Sequence, residues 1–241
     1  MTRVVLVHGA FAGGWVWGPL AELLQQNGHA VEAPDLPGGG QDRTPIHEIT
    51  LDAYATRICE VIGSQPEPAV LAGHSMGGMA ITQAAPRCAD RIASMVYVAA
   101  FLPQDGQSLL ALTELPEGEG DQVQANLVVE GDPPVATMPA EASRAATYAE
   151  ASDEMAAWAI ASRTPQPVFP FTEPVALGGF DFAGVQRAYV YCARDRAIPP
   201  PLQRRMLTAA ACSPVIELDT DHVPQLSRTA ELAEALHGLA A

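Results

Sequence analysis

Two rhythms of apolar positions alternate along the first hundred residues. Residues 3–7 (RVVLV) form a β-branched apolar run ending at His8-Gly9, the pattern of a strand buried on both faces. Leu20, Leu23 and Leu24 then recur at helical spacing, and Gly28 follows where a helix C-cap is expected. Residues 30–33 predict a second strand, and Pro37 with three consecutive glycines predicts a loop over 36–44. Tyr54, Ile58 and Val61 mark a helix over 51–62. A third strand is expected at 69–72, a helix from 77 to about 85, and a fourth strand at 93–99.

The alternation then stops. Residues 103–179 are rich in Pro, Glu and Ala, and predict one helix over 140–161 and no strand. It resumes with a strand at 187–192, a helix at 200–211, a strand at 215–218 and a helix at 229–239. Strand–helix alternation of this kind implies an α/β domain, a mostly parallel sheet with helices on both faces. The expected organisation is one core from residues 1–104 and 180–241, interrupted by a small, mainly helical cap at 105–179. No internal repeat is present.

The chemistry enters between the third strand and the next helix, where GHSMGG (73–78) fits G-x-S-x-G. A serine at the apex of a sharp strand-to-helix turn needs small residues two places on either side. The following helix then aims its positive end at the hydroxyl. Ser75 is therefore the candidate nucleophile, and the Met76 N–H one candidate oxyanion donor. The glycine-rich loop after the first strand (HGAFAGGW, 8–15) offers the second donor, assigned to the Ala10 N–H. His8, at the strand end, reads as structural.

With a serine at such a turn, the acid and then the base follow in chain order. His222 lies after the last strand, in DTDHVP (219–224), and is the candidate base. His29 and His47 precede the serine, His237 falls on the final helix, and His74 should point away from the hydroxyl. Asp195, just past the strand at 187–192, is the candidate acid. Asp105 is the runner-up, and Asp219 and Asp221 are expected to shape the turn before His222. These roles imply attack by Ser75 on a carbonyl, an acyl-enzyme and its hydrolysis by water. The scheme requires neither metal nor organic cofactor.

Charge and cysteine usage narrow the partners. The 241 residues carry a formal net charge of −15, and all thirteen basic residues are arginine. Such acidity argues against nucleic acid and against an anionic membrane surface. The four cysteines, Cys59, Cys88, Cys192 and Cys212, show no CxxC spacing and sit in apolar runs, so buried free thiols and no zinc site are expected. No signal peptide pattern and no membrane-length apolar run are found, so a cytoplasmic protein is expected. The expected partner is a small-molecule ester, and a homodimer is left open.

Five stretches resemble one family: LVHGAFAGGWVW (6–17), GHSMGGM (73–79), VYVAAFLP (96–103), YCARDRAIPPPLQRRM (191–206) and DHVPQLSRTAEL (221–232). They are similar to the small α/β-hydrolases that include plant methyl esterases of the salicylate methyl esterase type and the related hydroxynitrile lyases. The resemblance implies the α/β-hydrolase fold, agrees with Ser75, Asp195 and His222 over Asp105, and is weak across the cap. In the lyases a threonine follows the first-strand histidine and a lysine follows the catalytic one. Here those positions are Gly9 and Val223, which favours an ester substrate, possibly a methyl ester. The alternatives are a lyase, lactone-opening, C–C hydrolysing or polyketide-type tailoring reaction on the same triad, and a non-catalytic receptor. Phe11, Phe101, Leu102, Met138, Trp158, Phe169 and Val223 are the candidate pocket residues, suited to a small aromatic or aliphatic ester.

Overall fold

The fold is described from a computed structural model, for residues 1–240. The first half runs β1 (Arg3–Val7), α1 (Gly18–Gln26), β2 (Ala30–Glu32), α2 (Leu51–Gly63), β3 (Ala69–His74), α3 (Gly77–Cys88) and β4 (Ile92–Val98). The second alternating portion is β8 (Gln186–Cys192), α8 (Pro200–Ala209), β9 (Val215–Leu218), α9 (Pro224–Ser227) and α10 (Thr229–Ala240). Between them lie α4 (Leu109–Thr113), β5 (Val128–Glu130), β6 (Val135–Thr137), α5 (Ala140–Ala146), α6 (Asp153–Ala161), β7 (Gln166–Pro167) and α7 (Phe169–Thr172).

Six strands form one sheet in the order β2-β1-β3-β4-β8-β9, every pairing parallel. The period of two in each strand divides its side chains between two cores. Val5, Val7 and Leu71 face one apolar cluster with Tyr54, Ile58 and Ile81 of α2 and α3. Val4, Leu6 and Val70 face the other, with Leu20 and Leu24 of α1 and Leu232 and Leu236 of α10. Both faces being covered explains why these strands read as unbroken apolar runs. The parallel order also brings the carboxyl ends of β3, β8 and β9 to one edge, where ligands of open α/β sheets bind.

Three expectations need correction. The stretch 105–179 is not free of strands, because β5, β6 and β7 form an antiparallel three-stranded sheet. Its strands are two or three residues long, too short to display an alternating pattern. The single helix expected over 140–161 is two helices. The Arg144 guanidinium bonds the Tyr148 and Ala151 carbonyls across the break, and Ser152 caps α6 by accepting the Met155 N–H. Finally, Cys59 and Cys88 are not free thiols: packing of α2 on α3 brings their Cα atoms to 5.8 Å and they form a disulfide. Cys192 and Cys212 are free, as expected.

Candidate active site

The chain turns from β3 into α3 across Ser75 and Met76. Ser75 has φ +54°, in the left-handed region that a non-glycine residue adopts only when its surroundings impose it. They do so through the backbone: the Ser75 N–H donates to the Val98 carbonyl (3.3 Å), and the Ser75 carbonyl accepts from Gly78 (3.0 Å) and Phe101 (3.1 Å). The turn also presses against β1. A Cβ on Gly77 would lie 2.7 Å from the Val7 carbonyl oxygen and 2.8 Å from that of His8. Gly77→Ala is expected to cost about 1–3 kcal/mol through forced backbone movement. A urea unfolding curve that matches the parent would show that the elbow tolerates a side chain there.

From this apex a line of hydrogen bonds crosses the sheet edge. The Ser75 Oγ lies 3.0 Å from His222 Nε2, and His222 Nδ1 lies 2.8 Å from Asp195 Oδ2. The carboxylate fixes the tautomer: Nδ1 carries the proton toward Asp195, leaving Nε2 as the acceptor for the serine hydroxyl. Burial alone would lower the His222 pKa, but the Asp195 charge and hydrogen bond, with Asp221 and Asp121 further off, raise it above the ordinary value.

Asp195 is itself held from three sides. Its Oδ1 accepts the N–H groups of Ala197 (2.8 Å) and Ile198 (2.9 Å). Gln203, fully buried on α8, donates from Nε2 to Asp195 Oδ2 (3.4 Å) and to the carbonyls of Cys192 and Ile198, and accepts the Cys192 N–H. Gln203 thus braces both the carboxylate and the loop after β8. Only its place on α8, one turn into a helix otherwise read by its apolar face, hints at this in the sequence.

The loop before His222 is braced from the insertion. Asp221 accepts the Glu150 N–H on Oδ2 (2.8 Å) and the Ser227 hydroxyl on Oδ1 (2.8 Å), a turn-shaping role as expected. His74 makes no hydrogen bond to the Ser75 hydroxyl and donates from Nε2 to the His222 carbonyl (2.8 Å), so it helps orient the residue that faces the serine. Burial holds its pKa well below the usual histidine value. His8 donates from Nδ1 to the Gly9 carbonyl (2.8 Å) and accepts the Leu36 N–H on Nε2 (2.9 Å), the structural use expected of it. Asp105 accepts the Leu177 N–H (2.7 Å), a loop contact separate from the His222 pairing.

The N–H groups of Ala10 and Met76 donate to no protein acceptor among the described residues, whereas the next donor in the loop, Phe11 N–H, is taken by Gln166 Oε1 (3.3 Å). Two unspent donors beside a serine hydroxyl are what an oxyanion requires.

Two adjoining cavities share Ala10, Phe11, Ser75 and Val123 as a common wall. One continues past His222 and Val223 to Tyr148 and Arg163; the other runs past Met76 to Phe101, Leu109, Asp121, Phe171 and Ile198. Phe11, Phe101 and Val223 therefore line the site as expected. Four expected pocket residues do not line these two cavities. Leu102 is buried against α8, its N–H directed at the Met206 sulfur. Met138 lines a separate outer groove with Phe11 and Arg163. Trp158, 41% exposed, packs edge-on against Trp15 on the outside, and Phe169 is 44% exposed. Both belong to short helices whose faces the sequence pattern leaves ambiguous. Asp121, Tyr148 and Arg163 were not among the expected pocket residues, because the irregular insertion gives no periodicity from which to read an inward face.

With this geometry the comparisons with known proteins agree. The sequence model of the Alpha/beta hydrolase family matches residues 4–235. The chain belongs to the α/β-hydrolase family. Among its relatives in the family, carbendazim hydrolyzing esterase from Nocardioides sp. (strain SG-4G) is 32% identical, over 99% of this chain and 100% of that one. Salicylic acid-binding protein 2 of Nicotiana tabacum is 31% identical, over 96% and 94%. Putative methylesterase 11, chloroplastic, of Arabidopsis thaliana is 30% identical over 98% of this chain, which spans 62% of that protein's length. Among solved structures, polyneuridine aldehyde esterase superposes with a TM-score of 0.88 at 26% identity, over 100% of both chains. Among the described residues of this α/β-hydrolase, no helix is long and apolar enough to cross a membrane.

Proposed function

We propose that this chain is a carboxylic ester hydrolase that works through an acyl-enzyme on Ser75. The observation that carries the proposal is the unbroken hydrogen-bonded line from Ser75 through His222 to Asp195 beside two unspent backbone donors. In this reading neutral His222 takes the hydroxyl proton as Ser75 Oγ bonds to the ester carbonyl carbon. The oxyanion that forms is held by the Ala10 and Met76 N–H groups, a donor of this kind supporting roughly 3–4 kcal/mol of transition-state stabilisation. The imidazolium is steadied by Asp195 and returns its proton to the departing alkoxide. Water, activated by the same imidazole, then releases the acid and restores Ser75. The stretch 105–179 serves as the cap, since it supplies Val123, Tyr148, Arg163 and Asp121 to the two cavities. The named methylesterases and esterases among the relatives support this substrate class, a methyl ester included. A cytoplasmic setting is part of the proposal and is tested by fractionating the producing cells.

Cyanohydrin cleavage is the less favoured reading, although a 31% identical relative is named Alpha-hydroxynitrile lyase. A threonine at position 9 would meet Ser75, since even a Cβ on Gly9 lies 2.8 Å from the Ser75 Cβ. Apolar Val223, buried at the cavity wall, offers no charge to a departing cyanide.

Mixing the enzyme with excess 4-nitrophenyl acetate is expected to release a burst of nitrophenolate equal to the enzyme concentration; a linear trace extrapolating to zero at every concentration would argue against a rate-limiting deacylation. The pH dependence has a defined sign. Protonated His222 cannot accept the serine proton, and its pKa is raised. The rate constant kcat/KM is therefore expected to fall about tenfold per pH unit below an inflection that lies above the ordinary histidine value of about 6.5. A flat profile down to pH 5 would remove His222 as the base.

A further inference from the structure

We infer that Asp121 selects the acyl half of the substrate, and that this half carries a hydrogen-bond donor, a hydroxyl or an amine. The inference rests on the ester-hydrolase reading above. In that reading His222 returns its proton to the leaving oxygen, so the alcohol departs along the cavity that His222, Val223 and Tyr148 line. The acyl group then occupies the other cavity, against Met76, Phe101, Leu109, Phe171 and Ile198. Asp121 is the one charged residue lining that second cavity.

Its surroundings are unusual for a turn-forming aspartate. The residue is only 8% exposed. Oδ1 accepts the N–H groups of Val123 (2.8 Å) and Gln124 (3.0 Å), which accounts for the turn. Oδ2 has no protein partner, and no arginine or histidine forms an ion pair with Asp121, among the described residues. Nearby, Gln124 Nε2 donates to Thr113 Oγ1 at 2.8 Å. An asparagine would close the same turn without a charge, so the turn does not explain the carboxylate. Oδ2 is thus a free charged acceptor on the cavity wall, and a substrate that brings a donor gains a charge-assisted hydrogen bond there. Burial also pushes the Asp121 pKa up to about 6, so the group is an ionised acceptor at neutral pH.

The test uses matched methyl esters of hydrocinnamic acid, with a hydroxyl or a fluorine at each ring position in turn. The fluorine is similar in size and donates nothing. In the parent enzyme the best hydroxyl isomer is expected to exceed its fluoro counterpart in kcat/KM by about tenfold, the worth of a hydrogen bond to a charged group. Asp121→Asn keeps the turn acceptor and replaces the free oxygen by an amide; Asp121→Ser keeps an oxygen for the turn and removes the second one. In both, the hydroxyl-to-fluoro ratio is expected to fall to within about twofold. Because the ratio is taken within each variant, a change in overall rate does not enter. The same ratio measured as Kd on Ser75→Ala, with and without Asp121→Asn, needs no turnover. No preference in the parent, or a preference that survives both Asp121 substitutions, overturns the inference. Failure of every ester to turn over, with the binding ratio intact, would instead overturn the esterase reading and leave Asp121 as the donor-selecting residue.

Discussion

Ser75→Ala is expected to reduce kcat on a nitrophenyl or methyl ester by about 10⁵- to 10⁶-fold, to the residual rate that binding and oxyanion stabilisation supply without a nucleophile. The ester's Kd is expected to change little, because the hydroxyl contributes to the transition state and not to holding the ester. The elbow itself should persist. Ser75 is held in its left-handed conformation by three backbone hydrogen bonds that alanine preserves, so the unfolding midpoint should stay close to that of the parent. The loss is then chemical rather than structural. Turnover in Ser75→Ala above one per cent of the parent, measured on protein free of parent enzyme, would mean that another group attacks the carbonyl.

Asp195→Asn is expected to lower kcat by about 10⁴-fold with the fold intact. The asparagine oxygen can still accept the Ala197 and Ile198 N–H groups. Its amide nitrogen then faces His222 Nδ1, where the carboxylate oxygen was, and donates instead of accepting. The imidazole must take the tautomer with its proton on Nε2, aimed at Ser75, and so loses its capacity as a base. Steady-state kinetics beside a circular dichroism melt separate this from unfolding. A decrease below about tenfold would show that His222 needs no carboxylate to hold its tautomer.

Both predictions depend on a constellation that is legible in the sequence. The elbow was legible because a strand-to-helix turn with a serine at its apex admits little besides glycine at 73 and 77. His222 and Asp195 were legible because parallel strands end at one edge, so residues just past β8 and β9 meet those just past β3. The sheet itself was legible for a related reason: residues of β1, β3 and β4 face apolar cores on both sides, so the strands read as largely apolar runs.

The insertion was not legible, and the reason is physical. Val128 and Val129 of β5 are exposed, and β7 is two residues that include Pro167, so no inside and outside face could be read. The Cys59–Cys88 bridge joins two helices through their packing and left no spacing signature. Gln203 and Asp121 carry little signal in the sequence, because polar residues in a helix or a polar loop ordinarily face solvent, and only the packed structure turns them inward. The parts of the site built on regular elements were thus visible, while the insertion residues that line the two cavities lie where the chain is irregular.

The central claim is that Ser75 becomes acylated. The most direct measurement is intact-mass spectrometry of the enzyme quenched in acid during turnover of a slowly deacylating nitrophenyl ester, followed by peptide mapping. The account predicts one added acyl group per chain, on the peptide that carries Ser75, and none in Ser75→Ala. Sustained turnover with the acyl group on a different residue would contradict it.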